Sequence, residues 1–503
     1  MKQLKEVELT RHAYHKDPTL NSVHRSSLMV PEIPGTEVDI SFLNHFLLKR
    51  NYSKVACRIT PIDTLGRKTE SRLYEIDKPI VYTFTLTGMV EKPISNYLVE
   101  FFSAENLFIP FPAVMINHRG NGFINQVHSF NRVLNDIFED DEINSKQVKE
   151  TSVDMVLGNG TDTFFLFSAG PLPCKGKFEI EIYTKHGLHK KSYDLDLPRF
   201  GLQQISIKKL FNEMPDGTTG IIKAQQPHQL LFYGRMLVGQ THQDGSFSAN
   251  HSYYDSSMIE EYWDDNRPSS RIYPFFSRLQ NMIKIYPVQS PSTLSFFIGL
   301  YSNDGSKLGE FECGELQSPS NNFLDIDVNS IIHNNNLDLN DISTFAVIAK
   351  AKNGKMPTRI GHQLVYGAGG LNSSVAVSLF NPNVFTTKNK KSFAWGQLII
   401  GKEYDSFIGI VSDLSINPEI EEHDFMVQFF GNEGQLVQRN WTIRNGTAKK
   451  FEVSQELKNE LKNSESQKLQ YIWCMMESEK PGLNFYTVSY NKKTKHCSGE
   501  HGF

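Results

Sequence analysis

The chain has 503 residues, a net charge of −4 and 21% charged residues, so its length exceeds one ordinary domain and no broad basic field marks it for nucleic acid. Aromatic residues make up 12% and short apolar runs are frequent, which excludes a disordered chain, while 34 glycines and 22 prolines exclude collagen-like and low-complexity classes. The five cysteines, Cys57, Cys174, Cys313, Cys474 and Cys497, are odd in number and form no CxxC, so they read as buried free thiols and not as a disulfide framework or zinc knuckle.

The first segment, "MKQLKEVELTRHAYHKD", scatters charges where a secretory signal would carry an apolar core. No uncharged apolar run approaches the roughly 20 residues of a spanning helix. The expectation is a soluble, cytoplasmic protein with no membrane span, although unconventional export would leave no readable mark. Residues 1–26 read as an N-terminal arm in which His12, His15 and His24 have basic neighbours.

Further along, four stretches share a strand, a Gly turn and a second strand: "ACRITPIDTLGRK", "FEIEIYTKHGLHK", "LSFFIGLYSNDGSK" and "FMVQFFGNEGQL". Their turn glycines, Gly66, Gly187, Gly305 and Gly434, recur at a period of about 120 residues. A second block follows each turn, starting at Asn96, Thr219, Thr344 and Leu469, with an apolar strand, a polar or Pro/Gly loop and another apolar strand. Between the blocks, "QISIKKLFNEM", "LDIDVNSIIHN" and "FEVSQELKNEL" lead into a helical turn, and the first copy has "VYTFTLTG" instead. The best helical patterns are "FEVSQELKNELKNSESQKLQ" and then "VHSFNRVLNDIFED".

The runs are short, rich in Val, Ile, Phe and Tyr, and punctuated by Gly, Asn, Asp and Pro. Strict alternation in "FEIEIY" suits a strand with one face on a core and the other in water. The expected fold is all-β: four tandem antiparallel β-sandwich-like repeats of about 120 residues, each with about seven strands. The period is too long for a propeller blade of roughly 40–50 residues. The cuts fall at 27–150, 151–265, 266–385 and 386–503.

Each repeat ends in a similar segment, so "HSF", "HSY", "SLF" and "HGF" occupy equivalent places. His128, His251 and His501 recur in three copies, and the third copy has Ser378. Within one unbroken hairpin the second pair member, His242 or His118, is too distant to share an ion, and only a loop or bulge after Phe247, at Ser248, Ala249 and Asn250, would bring His242 and His251 together. If Asp244 and Gly245 form a type I′ turn, His242 faces Phe247 and His251 lies roughly 13 Å along the strand. Zinc or iron needs imidazole nitrogens about 2 Å away.

A composite centre is different. If repeat ends converge, His128, His251 and His501 present three imidazoles to one ion, with His118, His242 and Asp255 behind them. Three histidines and an open position suit a zinc that activates water or an iron that binds oxygen. Otherwise each histidine caps the end of its sandwich, packs on the aromatic two residues on, and bonds a backbone carbonyl. Separately, "EYWDDNR" sets Tyr262, Trp263 and Arg267 beside carboxylates, a stacking platform for a sugar ring or a cover for the domain junction.

No GxGxxG, P-loop, HExxH, GxSxG or EF-hand loop is present. The favoured function is a non-catalytic multivalent binding or scaffold protein whose ligand is a glycan or a protein surface. The alternative is a metal-dependent enzyme with a tri-histidine centre. Imidazoles within about 5 Å of one another favour the enzyme, and dispersal over separate domain ends favours the binder.

Overall fold

The structure is a computed structural model. It describes residues 24–103, 112–135, 140, 150–254, 261–264, 266–317, 322–379, 391–413, 415, 419–461 and 468–503. It is nearly all β and antiparallel, with only four short helices among the described residues. No helix among them is long and apolar enough to cross a membrane.

The first eight strands in sequence are His24–Pro31, Glu37–Leu43, Val55–Asp63, Arg72–Ile76, Val81–Thr85, Ile94–Ser103, Met115–Gly120 and Phe123–His128. They form two four-stranded sheets, ordered first–sixth–third–fourth and fifth–second–seventh–eighth. The same two orders recur in three further sets, beginning at Glu150–Val156, Ser269–Pro274 and Ser392–Ile400. In the second set, the short strand Tyr253–Tyr254 adds to the edge of one sheet. Gly66 and Gly305 sit in the turn between the third and fourth strands, and Gly187 and Gly434 open the fourth strand directly after it, all with positive φ. That backbone region is open to glycine and strained for other residues.

Each set has eight strands in this shared order where about seven were expected, and in the last three sets the apolar-acidic segment forms a strand of its own before its helical turn. That helix is short: Ile207–Leu210, Val328–Asn334 and Val453–Glu456 in the last three sets. A single turn is enough to carry the chain between sheets, and so brief a helix relies on packing for its stability. The first set places its helix, His45–Arg50, after the second strand instead. The helical pattern in "VHSFNRVLNDIFED" is overruled over its first half, and residues 136–139 lie outside the described residues. Phe123–His128 and Asn131–Val133 are strands, the latter paired with Phe232–Gly234 of the second set. The first strand already begins at His24, inside the expected arm; His12 and His15 lie outside the described residues.

Apolar residues from both sheets of a set fill a common interior, as with Met155, Phe167, Phe178, Ile180, Ile205 and Val238 in the second set. Two of the cores also run across set boundaries. Phe164 and Phe247 of the second set and Trp395 and Trp473 of the fourth join the core of the first. Phe407, Tyr486 and Val488 of the fourth join that of the third. All five cysteines are free thiols; four are buried and Cys313 is half-buried.

The eighth strands, Phe123–His128, Phe247–His251, Ser373–Ser378 and Cys497–His501, touch in the order first, second, third, fourth and back to first. Each is an edge strand of its own sheet, yet its residues are almost all buried. A buried edge leaves backbone groups without a strand partner. Side chains of neighbouring sets supply several partners. The Ala249 N–H donates to Asn125 Oδ1 at 2.7 Å and the Gln126 N–H to Ser498 Oγ at 2.9 Å. Ser248 Oγ donates to the Asn372 and Cys497 carbonyls.

The first and fourth sets, furthest apart in sequence, are joined by Trp473. It is fully buried and donates from Nε1 to Ser41 Oγ at 2.8 Å. Trp473→Ala is expected to lower stability to urea by about 3–5 kcal/mol, the usual cost of removing a buried tryptophan. An unchanged urea midpoint would show that the first and fourth sets do not depend on this contact.

Candidate metal centre

His128, His251 and His501 are each the last residue of the eighth strand of their set, and Ser378 is the last residue of that strand in the third. Since the four strands run side by side, their ends meet. The three histidines offer one ligand nitrogen each, all within 4.8 Å of one another. Ring centroids lie 4.4 Å apart for His128–His251 and 5.2 Å for His128–His501. With metal–nitrogen bonds of about 2.0–2.1 Å, tetrahedral donors sit roughly 3.3–3.4 Å apart. The triangle therefore needs only a modest contraction to hold one ion.

Every one of the three rings has its Nδ1 against an oxygen. For His128 it is Glu500 Oε2 at 3.1 Å, for His251 the Ser252 carbonyl at 2.8 Å, and for His501 the Gly502 carbonyl at 2.8 Å. An Nδ1–H donated to an oxygen fixes the tautomer that leaves Nε2 bare, as metal-ligating histidines require. The three Nε2 atoms make no hydrogen bond among the described residues. Arg235 Nη1 also lies 3.2 Å from His251 Nδ1. A guanidinium only donates, so it cannot share that nitrogen with a donated proton. The shorter carbonyl contact assigns the proton to Nδ1, and Arg235 then acts there as a nearby positive charge.

Glu500 ties the centre together. Its Oε1 accepts from the His128 backbone N–H at 3.1 Å and from Asn250 Nδ2 at 3.3 Å, and the residue is 1% exposed. Burial alone pushes its carboxyl up, but His128 beside it, with His501 nearby, holds the net value below the usual range. Burial pushes His251 well below an ordinary histidine, helped by His128 and Arg235, and lowers His501 to about 4, helped by His128. Both rings are neutral near pH 7, the form that binds a metal.

The residues expected behind the triad lie elsewhere. Met115 pairs with His128, so His118 sits three positions along its strand, about 10 Å away. Its Nε2 bonds the Pro31 carbonyl at 3.0 Å. Leu237 pairs with His251, which sets His242 five positions off, near His496 with ring centroids 6.1 Å apart. The turn also differs from the expected two-residue type I′ hairpin. The Gly245 N–H bonds the His242 carbonyl and the His242 N–H bonds the Ser246 carbonyl, so Phe247 faces Thr241 and not His242. Asp244 drives this by accepting from the Ser246 N–H and hydroxyl, while Gly245 takes a φ of 84°. Asp255 lies outside the described residues.

Tyr262 and Trp263 belong to the strand Tyr262–Asp264, which pairs with Lys355–Pro357 and clips the second set to the third. Tyr262 is exposed with Lys355 Nζ 5.4 Å from its ring centre, and Trp263 faces Met356. Arg267 lies in the bend that follows. Glu500, Arg235 and the two carbonyls were missed from sequence. Only Glu500 left a signal, as the sole carboxylate in the terminal "HCSGEHGF".

No protein-family model matches the chain, and no curated protein matches it.

Folded values for His251 and His501 lie below the ordinary 6.5, so on acidification the unfolded chain takes up protons first. The stability these two neutral rings carry is complete above about pH 6.5 and drains away as pH falls toward 4. Glu500, also depressed, adds the same sign below the ordinary carboxylate range. Thermal midpoints measured from pH 7 to 4 are expected to fall less steeply in His501→Gln than in the wild type. Parallel curves would show that His501 titrates normally in the fold.

Proposed function

We propose that this protein is a metal-dependent enzyme in which one transition-metal ion is held by His128, His251 and His501 where four sandwich repeats converge. The observation that carries the reading is the meeting of three ligand nitrogens within 4.8 Å, from strands more than a hundred residues apart in sequence. Their Nδ1 partners support it, because the same contacts orient metal-ligating imidazoles. Iron and zinc are the fitting ions. A tri-histidine set leaves a coordination position open, as catalytic sites do and closed structural sites do not. Bound there, such an ion supplies Lewis acidity and an activated water or oxygen. Ser378 in the third copy is the reason no fourth imidazole closes the site.

The recurrent eight-strand order supports the tandem-repeat part of the reading. Display of end loops to a glycan or a protein finds less support, because these ends face one another at the centre.

Metal content is the direct test, by mass spectrometry on protein purified without chelator or affinity tag. About one equivalent of iron or zinc is expected in the wild type and none in a folded His128→Ala, His251→Ala, His501→Ala triple variant. A wild type that neither carries nor takes up metal rejects the reading. Glu500→Gln keeps the three ligands but weakens the support behind His128, so metal affinity in a competition titration is expected to fall about 10–100-fold. Unchanged affinity would place Glu500 outside the centre's support.

A further inference from the structure

Apart from the histidines, a pocket of about 190 Å³ opens at the junction of the third and fourth sets. The third set supplies Phe275, Phe276 and Arg278 from the loop between its first two strands, Ser269–Pro274 and Gln280–Ile285. The fourth supplies Phe407 from its second strand, Tyr404–Ser412, and Lys450 and Glu452 from its fifth, Ala448–Glu452. Lys450 pairs across the sheet with Gly409, where an added Cβ would lie 2.4 Å from Pro274 Cβ. The missing side chain lets the third set settle close beside Lys450. The Phe276 and Phe407 rings lie 5.5 Å apart, and Tyr490 stacks on Phe407 at 5.2 Å.

Lys450 Nζ donates to the Phe275 and Ile342 carbonyls, both at 2.8 Å. An ammonium has three donors, so one remains. No carboxylate among the described residues pairs with it, and burial alone lowers it to about 8, so it keeps its charge near pH 7. A half-buried ammonium held only by neutral carbonyls lacks a counter-charge. The carboxylate in the same pocket is already engaged. Glu452 Oε2 accepts from Arg278 Nη1 at 3.0 Å, and its Oε1 accepts from the Tyr490 hydroxyl at 2.9 Å. Lys450 and Arg278 against Glu452 leave the pocket with one positive charge in excess.

We propose that this pocket binds a small aromatic monocarboxylate, with its ring against Phe276 and Phe407 and its carboxylate on the Lys450 ammonium. The pocket shares no residue with the metal centre, and the proposal does not rest on the metal reading. An apolar cavity of roughly 150 Å³ holds one benzene ring. The volume here therefore takes one ring with its carboxylate. Aromatic walls favour an aromatic guest through edge and offset contacts. A single excess charge matches a monoanion. A dianion such as phosphate would exchange its hydration for phenyl rings and too little charge. Ser277, Arg278 and Gln455, also on the pocket wall, are exposed and give it a side open to solvent.

Calorimetric titration of the full chain with benzoate is the test. Saturable binding is expected, at least about tenfold tighter than that of benzyl alcohol, which lacks the charge, or of acetate, which lacks the ring. Affinity for benzoate is expected to fall at least about tenfold in Lys450→Met. Gln455→Trp, an exposed substitution, is expected to abolish binding by filling the pocket, so the test survives if Lys450→Met fails to fold. The His128→Ala, His251→Ala, His501→Ala variant is expected to bind benzoate as the wild type does. Loss of binding in that variant would place the benzoate at the metal centre and overturn the pocket. No saturation with benzoate, or unchanged affinity in folded Lys450→Met or Gln455→Trp, overturns it as well. Benzyl alcohol, acetate or inorganic phosphate binding as tightly as benzoate overturns the ligand class.

Discussion

Four edge strands share one interior, and each must find partners for the backbone groups its own sheet leaves unpaired. Water cannot supply them, because the strands are buried against one another. Asn125, Ser248, Asn250, Ser498 and Glu500 reach across set boundaries instead, to backbone groups of strands in the adjacent or the opposite set. An apolar interface would leave those groups orphaned at a cost of roughly 1–3 kcal/mol each. The polar lining is therefore what allows four sheet edges to meet without pairing into one continuous sheet.

The candidate centre follows from that arrangement. Strands that run side by side bring their last residues together, so one position per set is enough to build a composite site. The same network reaches into it: Glu500 anchors the backbone of His128, the side chain of Asn250 and the ring of His128 in one carboxylate. The three rings differ in their surroundings. His251 has the Arg235 guanidinium beside it, His128 the Glu500 carboxylate, and His501 the Gly502 carbonyl.

Much of the local architecture was legible in the residues. Short β-branched and aromatic runs with Gly turns announce antiparallel strands, and Gly66, Gly187, Gly305 and Gly434 all lie in or directly after the same turn. The equivalence of His128, His251, Ser378 and His501 was legible too, because a strand end beside a hairpin leaves a position-specific pattern. Errors came where one residue of register mattered. Asp244 recruits Ser246 and lengthens the turn, so His242 no longer faces Phe247. "VHSFNRV" looked helical by spacing, but Asn131–Val133 finds a strand partner, Phe232–Gly234, a hundred residues later.

Periodicity, turn chemistry and residue type act over a few positions, so the primary chain was sufficient for strand character, turn placement and the recurrence of the terminal histidine. Closure of the four strand ends on one point depends on contacts such as Trp473–Ser41 and Gln126–Ser498, between residues hundreds of positions apart. No local pattern encodes such a pairing, because the energy that selects it comes from burying surfaces that exist only after each set has folded. The same holds for Arg271. In the linear chain it is one arginine within a strand, and it meets the Tyr486 hydroxyl only when the third set packs against the fourth.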